Sequence, residues 1–154
     1  MNFLGQFQAC MAALGPLVVE IENVTEGPEG NEWRLDLEDG SVIEIEYDQA
    51  RQRFALSADL GALPHEHRAH TCEMLLTFNL LWQDDLPVRM AIGSPGEHAV
   101  QVAELPATAF DPTNFHHHVS GFLALATRWR RHVANGCQAM DDPTPRFEPG
   151  AFRV

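Results

Sequence analysis

The fold of this chain is indicated first by the run Thr71-Cys72-Glu73-Met74-Leu75-Leu76-Thr77-Phe78-Asn79-Leu80-Leu81-Trp82. At helical spacing this run is apolar on two faces rather than one. The first face carries Cys72, Leu75, Leu76, Asn79 and Leu80, and the second carries Met74, Phe78, Leu81 and Trp82. A helix that is apolar nearly all round must be covered on both sides. We expect one face to pack on the protein's own core and the other to pack on a second copy of the chain.

Two further helices are predicted, one on each side of this central helix. Helical periodicity extends from Asn2 to Leu14, and Gly15-Pro16 is expected to end that helix. The last helix should begin at Asp111-Pro112, which suit the N-cap and the first helical position. Asn135-Gly136 should close it. Pro64 is expected to open the central helix.

Alternating apolar and polar residues predict an antiparallel sheet with one wet face. The predicted strands are Trp33–Leu37, Val42–Tyr47, Arg53–Ser57, Val88–Ile92 and His98–Val102. Asp39-Gly40 suits the positive φ angles of a tight hairpin turn between the first two. A further extended stretch begins at Leu17, before the turn-rich residues 26–31. The predicted order is α-βββ-α-ββ-α, a single α+β domain over residues 1–136, followed by a flexible, Pro-containing tail over residues 137–154.

Composition excludes several classes of partner. The 154 residues include 22 Asp and Glu but only 10 basic residues, all of them Arg, so the formal net charge is −12. A binder of nucleic acid or of an anionic membrane needs a basic face, so neither is expected. No apolar run is long enough to span a membrane, and the N-terminus lacks the pattern of a signal peptide. Three widely spaced cysteines without C-x-x-C spacing suit a reducing cytosol.

The histidines suggest an alternative interpretation, a metal-dependent enzyme. His67 and His70, within the cluster His65–His70, would share a helix face and could coordinate a metal, although no third ligand is evident. The cluster is not an H-E-x-x-H motif, because Ala69 occupies the fifth position. His116-His117-His118 would point about 100° apart around a helix, which is unsuited to one ion. No phosphate-binding loop or nucleophile motif is found, so we expect no catalytic residue, metal or cofactor.

Asn79 allows two interpretations, because a buried amide inside an apolar run needs hydrogen-bond partners. It could bind nearby backbone within the protomer, which we favour. It could instead fix the pairing across a dimer interface.

Five fragments in order resemble the class I type III secretion chaperones, the Tir chaperone family. They are Leu35–Gly40, Leu56–Gly61, Leu75–Trp82, Ile92-Gly93 and Phe122–Arg130. The resemblance covers roughly Phe3 to Val133. It implies a cytoplasmic bacterial homodimer that binds the N-terminal chaperone-binding region of a secreted effector in extended form, keeps it soluble and competent for secretion, and uses no nucleotide. It further implies the ATPase of the secretion apparatus as a partner.

The resemblance also assigns the two faces of the central helix. It implies that Cys72, Leu75, Leu76 and Leu80 face the sheet and that Met74, Phe78, Leu81 and Trp82 face the second copy. It further implies two sets of contact residues. The implied dimer contacts are Met74, Phe78, Leu81, Trp82, Val88, Met90 and Ile92. The implied effector contacts are Phe3, Leu4, Phe7, Met11, Trp33, Leu35, Ile43 and Ile45. A protein of the same fold that acts as a cytosolic adaptor without a secretion role would satisfy the sequence equally well.

Overall fold

The described part of this protein is an antiparallel sheet packed with three helices. The computed structural model describes residues 3–82, 86–93 and 97–138. The elements in chain order are α1 (Phe3–Leu17), β1 (Ile21–Glu26), β2 (Glu32–Leu37), β3 (Val42–Asp48), β4 (Arg53–Ala62), α2 (Arg68–Leu81), β5 (Val88–Ile92), β6 (His98–Pro106) and α3 (Phe115–Ala134). Short 3₁₀ turns at His65–His67 and Ala107–Ala109 precede α2 and α3.

The strands form one antiparallel sheet in the order β1-β2-β3-β4-β6-β5, so β1 and β5 are its edges. Along β3, Ile43, Ile45 and Tyr47 are buried, whereas the alternate residues Glu44 and Glu46 are exposed. Because successive side chains of a strand point to opposite faces, one face of the sheet holds the core and the other is wet. The predicted α+β class and the single wet face are confirmed.

Aromatic rings join α1 and α3 to the middle of the sheet. Phe7 of α1 stacks on Phe54 of β4 with ring centroids 3.9 Å apart. Edge-on contacts at 4.9 Å link Phe7 to Trp33 of β2 and to Phe115 of α3. Aromatic pairs in these arrangements stabilise the fold by more than the burial of their apolar area alone. Phe7 therefore lies where four elements meet, namely α1, β2, β4 and α3.

The structure corrects the predicted element list in one respect, because four strands rather than three precede α2. The additional strand is β1, which pairs with β2 from Ile21 to Glu26. The extended stretch that the sequence places at Leu17 begins later, because α1 continues to Leu17. Pro16 lacks one N–H donor, yet the final turn still forms, since the Val18 N–H donates to the Leu14 carbonyl at 3.0 Å.

The start of α3 also differs from the prediction. Asp111 accepts hydrogen bonds from the backbone N–H of Thr113 at 2.9 Å and from the Asn114 side chain at 3.0 Å. These bonds build a turn before the helix rather than a cap on it, and Asn114 becomes the N-cap residue. The predicted end at Asn135-Gly136 is confirmed.

Most of the predicted tail, from residue 139 onward, lies outside the described residues. The first two residues of that predicted tail are described. Cys137 is buried, and the Gln138 side chain contacts the Nδ1 atom of His67 at 2.9 Å. Cys137 therefore packs in the core, one residue past the predicted end of the domain.

Candidate interaction surfaces

The outward face of α2 carries two of the exposed large apolar residues of the described structure. Leu76 and Leu80, one turn apart, are 67% and 61% exposed, whereas Leu75 is buried. The prediction that Leu76 and Leu80 pack on the sheet is therefore wrong. Sequence periodicity identified two apolar faces but could not say which one the sheet covers, because both have the same spacing and similar polarity.

The opposite face of α2 packs on the core of its own protomer. Met74, Phe78 and Trp82 are partly buried against that core. The Phe78 ring stacks on Trp82 at 5.0 Å and meets Trp129 of α3 edge-on at 5.4 Å. These aromatic contacts connect α2 to α3, so part of the cover expected from a second copy is supplied by the chain itself.

The residues predicted at a dimer interface occupy two kinds of environment. Val88 and Met90 of β5 are buried within the protomer, with 4% and 5% exposure. Ile92, at the end of the same strand, is 40% exposed. Leu81 is half-buried. Val88 and Met90 have almost no exposed side-chain surface, so we assign them to the core. A dimer role stays a prediction for the other five residues.

Asn79 of α2 closes the middle of the β5 edge. Its Nδ2 donates to the Met90 carbonyl at 2.9 Å, and its Oδ1 accepts from the Met90 N–H at 2.6 Å. The side-chain amide thus satisfies both backbone groups of Met90, as a paired strand would. The interpretation of Asn79 as a partner of nearby backbone is confirmed. The Trp82 indole N–H makes a third bond, to the Leu86 carbonyl just before β5, at 3.1 Å.

The β1 edge, at the other end of the sheet, has no such cover among the described residues. The Gly27 N–H donates to the Glu32 carbonyl at 2.8 Å, which continues the β1–β2 ladder. Hydrogen-bonded and non-bonded pairs alternate along an antiparallel ladder, so Val24 directs its N–H and C=O to the outer edge. No described side chain hydrogen-bonds to the backbone of β1.

Helix α1 lies beside this open edge. The Gln8 side chain donates to the Glu26 carboxylate and to the Gly30 carbonyl, both at 3.1 Å. Leu4 lies one turn before Gln8 on the same helix face. Phe3, Leu4 and Val24 are half-buried apolar residues. The edge thus combines free backbone groups with partly covered apolar side chains, a combination that sequence periodicity did not reveal because β1 was missed as a strand.

Six of the eight predicted effector contacts are core residues of the protomer. Phe7, Met11, Trp33, Leu35, Ile43 and Ile45 are at most 3% exposed. A side chain without exposed surface cannot touch a partner unless the protomer rearranges, so we assign these six to the core. The apolar pattern of a strand is the same for a core contact and for a partner contact, so the sequence could not separate them. Effector contact stays a prediction for Phe3 and Leu4.

The histidines that suggested a metal site have separate protein partners. His67 contacts Gln138, and the Nε2 atom of His70 lies 3.3 Å from the Cys137 carbonyl oxygen. Within residues 3–82, 86–93 and 97–138, no three His, Cys, Asp or Glu side chains are grouped as metal ligands. Among the same residues, no helix is both long and apolar enough to cross a membrane.

Comparison with known proteins assigns the class of this protein. The sequence model of the Tir chaperone protein (CesT) family matches residues 28–130. This match spans more than half of the chain, so the protein belongs to the Tir chaperone family. No curated protein sequence gives a significant match.

Three solved structures share the fold at low identity. The ExsC–ExsE complex contains a chain that is 15% identical, with a TM-score of 0.63, over 86% of this chain and 97% of the other. For the HopA1–SchA chaperone–effector complex the identity is 12%, the TM-score is 0.60 and the coverage is 83% and 95%. For the ExoT–SpcS complex from Pseudomonas aeruginosa the values are 12%, 0.56, 82% and 97%. At such identities the similarity establishes the fold.

Proposed function

We propose that this protein is a type III secretion chaperone of the bacterial cytoplasm, which binds the N-terminal region of an effector in extended form and keeps it soluble for secretion. Family membership supports the proposal. Of the solved structures that share the fold, the HopA1–SchA structure is named as a chaperone–effector complex, and the ExsC–ExsE structure is also a complex of two proteins. The structural observation that carries it is the open β1 edge beside α1. The proposed activity is binding, without a catalytic step.

The extended effector segment would add to the sheet as a strand beside β1. The Val24 N–H and C=O, together with the alternate backbone groups of the strand, would supply main-chain hydrogen bonds that tolerate varied sequences. The half-buried side chains Phe3, Leu4 and Val24 would receive alternate side chains of the segment and supply selectivity. The β5 edge is disfavoured as the binding edge, because Asn79 already bonds the N–H and C=O of its central residue, Met90.

The first experiment is capture of the chaperone with its bound proteins from the native bacterium, followed by mass spectrometry. We expect a protein bound through its N-terminal region, and we expect its secretion to stop when the chaperone gene is deleted. A bound protein that is secreted normally without the chaperone would contradict a secretion role and favour the adaptor alternative.

A substitution at the β1 edge tests the binding mode. Val24→Pro removes the outward N–H while leaving the β1–β2 ladder bonds intact, because proline is tolerated where an edge N–H faces solvent. The matched control is Val24→Thr, which keeps the N–H and the β-branched shape. We expect Val24→Pro to reduce capture of the effector and Val24→Thr to retain most of it. Equal capture by both variants would contradict strand addition at β1.

We further propose a homodimer that covers the outward face of α2. The partner would bury Leu76, Leu80 and Ile92, the exposed apolar residues of this end of the molecule. The double variant Leu76→Asp/Leu80→Asp should be monomeric by light scattering, whereas the control Glu44→Gln/Glu46→Gln on the wet face of the sheet should remain dimeric. A wild-type monomer at micromolar concentration would refute the dimer without touching the β1 proposal.

A further inference from the structure

A groove of about 400 Å³ lies between α3 and the turn that joins β2 to β3. We call it the hairpin groove. Leu37 and Leu123 form its apolar floor, Ala124 and Thr127 form its wall, and Glu20, Glu38 and Asp39 form its rim. The Glu38 N–H donates to the Glu20 carbonyl at 3.1 Å, which holds the two sides of the rim together. Because Ala124 and Thr127 are small and lie about one turn apart on α3, space remains above the floor.

The charge of the rim is negative and only partly compensated. Glu20 and Glu38 are exposed, and neither carboxylate forms an ion pair with a described residue. Asp39 has one nearby cation, because the Nη1 atom of Arg130 lies 4.0 Å from its Oδ2. Hydrogen bonds from the Ser41 hydroxyl and N–H, and the charge of Arg130, lower the pKa of Asp39, so its carboxylate stays ionised at neutral pH. No basic side chain lines the groove in the described structure.

Two exposed apolar residues lie just before the rim residue Glu20 in the chain. Leu17, at the end of α1, and Val19, immediately before Glu20, are 57% and 79% exposed. Large apolar side chains with this exposure often mark a contact surface when they adjoin a concave apolar site. The groove therefore combines a buried apolar floor, exposed apolar residues at one end and free carboxylates above.

We propose that the hairpin groove binds a basic peptide segment of another protein, with one apolar side chain seated on Leu37 and Leu123 and flanking Arg or Lys residues facing Glu20 and Glu38. An acidic segment would be repelled by the like charges of the rim. A neutral apolar segment would leave the rim carboxylates without a cationic partner. The groove shares no lining residue with the proposed strand-addition site at Val24 or with the outward face of α2. The proposal does not depend on the secretion role.

Fluorescence anisotropy with a labelled peptide of alternating Arg and Leu tests the groove on the full chain. Ala124→Trp fills the groove from an exposed helix position and leaves the charge unchanged. Burial of one Leu side chain is worth about 1.5–3 kcal/mol, so we expect Ala124→Trp to weaken binding roughly tenfold or more. Replacing the peptide Leu residues with Ser should have a similar effect. Circular dichroism checks that the variant is folded.

The control separates a specific site from attraction to an acidic protein. Glu20→Gln/Glu38→Gln removes two rim charges, and Glu44→Gln/Glu46→Gln removes two charges from the wet face of the sheet. We expect roughly a five- to tenfold loss of affinity for the first double variant and less than about twofold for the second. Equal losses, or binding that Ala124→Trp leaves unchanged, would overturn the proposal. In the wild-type protein, peptide-induced NMR shifts centred on Leu37, Leu123 and Ala124 would support it, and shifts centred elsewhere would overturn it.

Discussion

The two edges of the sheet differ in how their backbone groups are satisfied. At β5, the amide of Asn79 bonds both the N–H and the C=O of Met90. At β1, Val24 directs the same two groups outward, and no described side chain binds them. An unpaired edge can recruit another strand, so proteins normally cover or charge it. The contrast is that a side chain of the protomer closes one edge, whereas the other edge is left unpaired among the described residues.

The helices beside the two edges, α2 and α1, also differ in whether they bond to the backbone of the edge strand. Beside β5, α2 bonds to the strand through Asn79 and turns Leu76 and Leu80 outward. Beside β1, α1 buries Phe7 and Met11 in the core and bonds to the turn after the strand through Gln8. Helix packing at β1 therefore leaves the edge accessible, whereas at β5 the helix occupies it.

The largest expected effect comes from removing the packing that holds α1 beside the open edge. Phe7→Ala deletes a fully buried ring that contacts Phe54, Trp33 and Phe115. We expect the free energy of unfolding, measured by urea denaturation, to fall by about 3–5 kcal/mol. A loss below about 1 kcal/mol would mean that α1 contributes little to the β1 side, and the comparison of the two edges would fail.

A smaller effect is expected from opening the closed edge. Asn79→Ala leaves the N–H and C=O of Met90 without their partner, in a partly buried position. We expect a loss of about 1–3 kcal/mol in urea denaturation, with increased light scattering from self-association through β5.

Thr77→Ala is the matched control for Asn79→Ala on the same helix. The Thr77 hydroxyl is exposed and bonds only to the Glu73 carbonyl within α2. We expect its free energy of unfolding to change by less than about 0.5 kcal/mol, without added scattering. An Asn79→Ala variant as stable and as soluble as Thr77→Ala would show that the β5 edge needs no closure.

The smallest effect concerns the segment that leads into β5. Trp82→Phe keeps a ring beside Phe78 but removes the indole N–H that donates to the Leu86 carbonyl at 3.1 Å. We expect a loss of about 0.5–1.5 kcal/mol, measured by urea denaturation. No change would indicate that Asn79 alone holds β5 against α2.

The two interaction surfaces were predictable to different degrees. The run from residue 71 to 82 indicated a helix with two apolar faces, and the structure contains both. The assignment of Leu76 and Leu80 to the sheet was wrong, because helical spacing gives the angle between residues but not the direction of the core. The β1 edge was missed because the stretch Ile21–Glu26 has few apolar residues and forms a strand only through its pairing with β2.

The sequence by itself determined the local elements of this protein and its family. Alternation fixed most strands, helical spacing fixed the helices, and Asp39-Gly40 fixed a hairpin, because each pattern depends on neighbours in the chain. Tertiary structure alone decided which apolar residues are covered, which carboxylates remain free and which sheet edge is closed. Those outcomes depend on contacts between residues that are distant in the chain. Examples are the bond of the Asn79 side chain to the Met90 backbone and the backbone bond from Glu38 to Glu20, which no local pattern encodes.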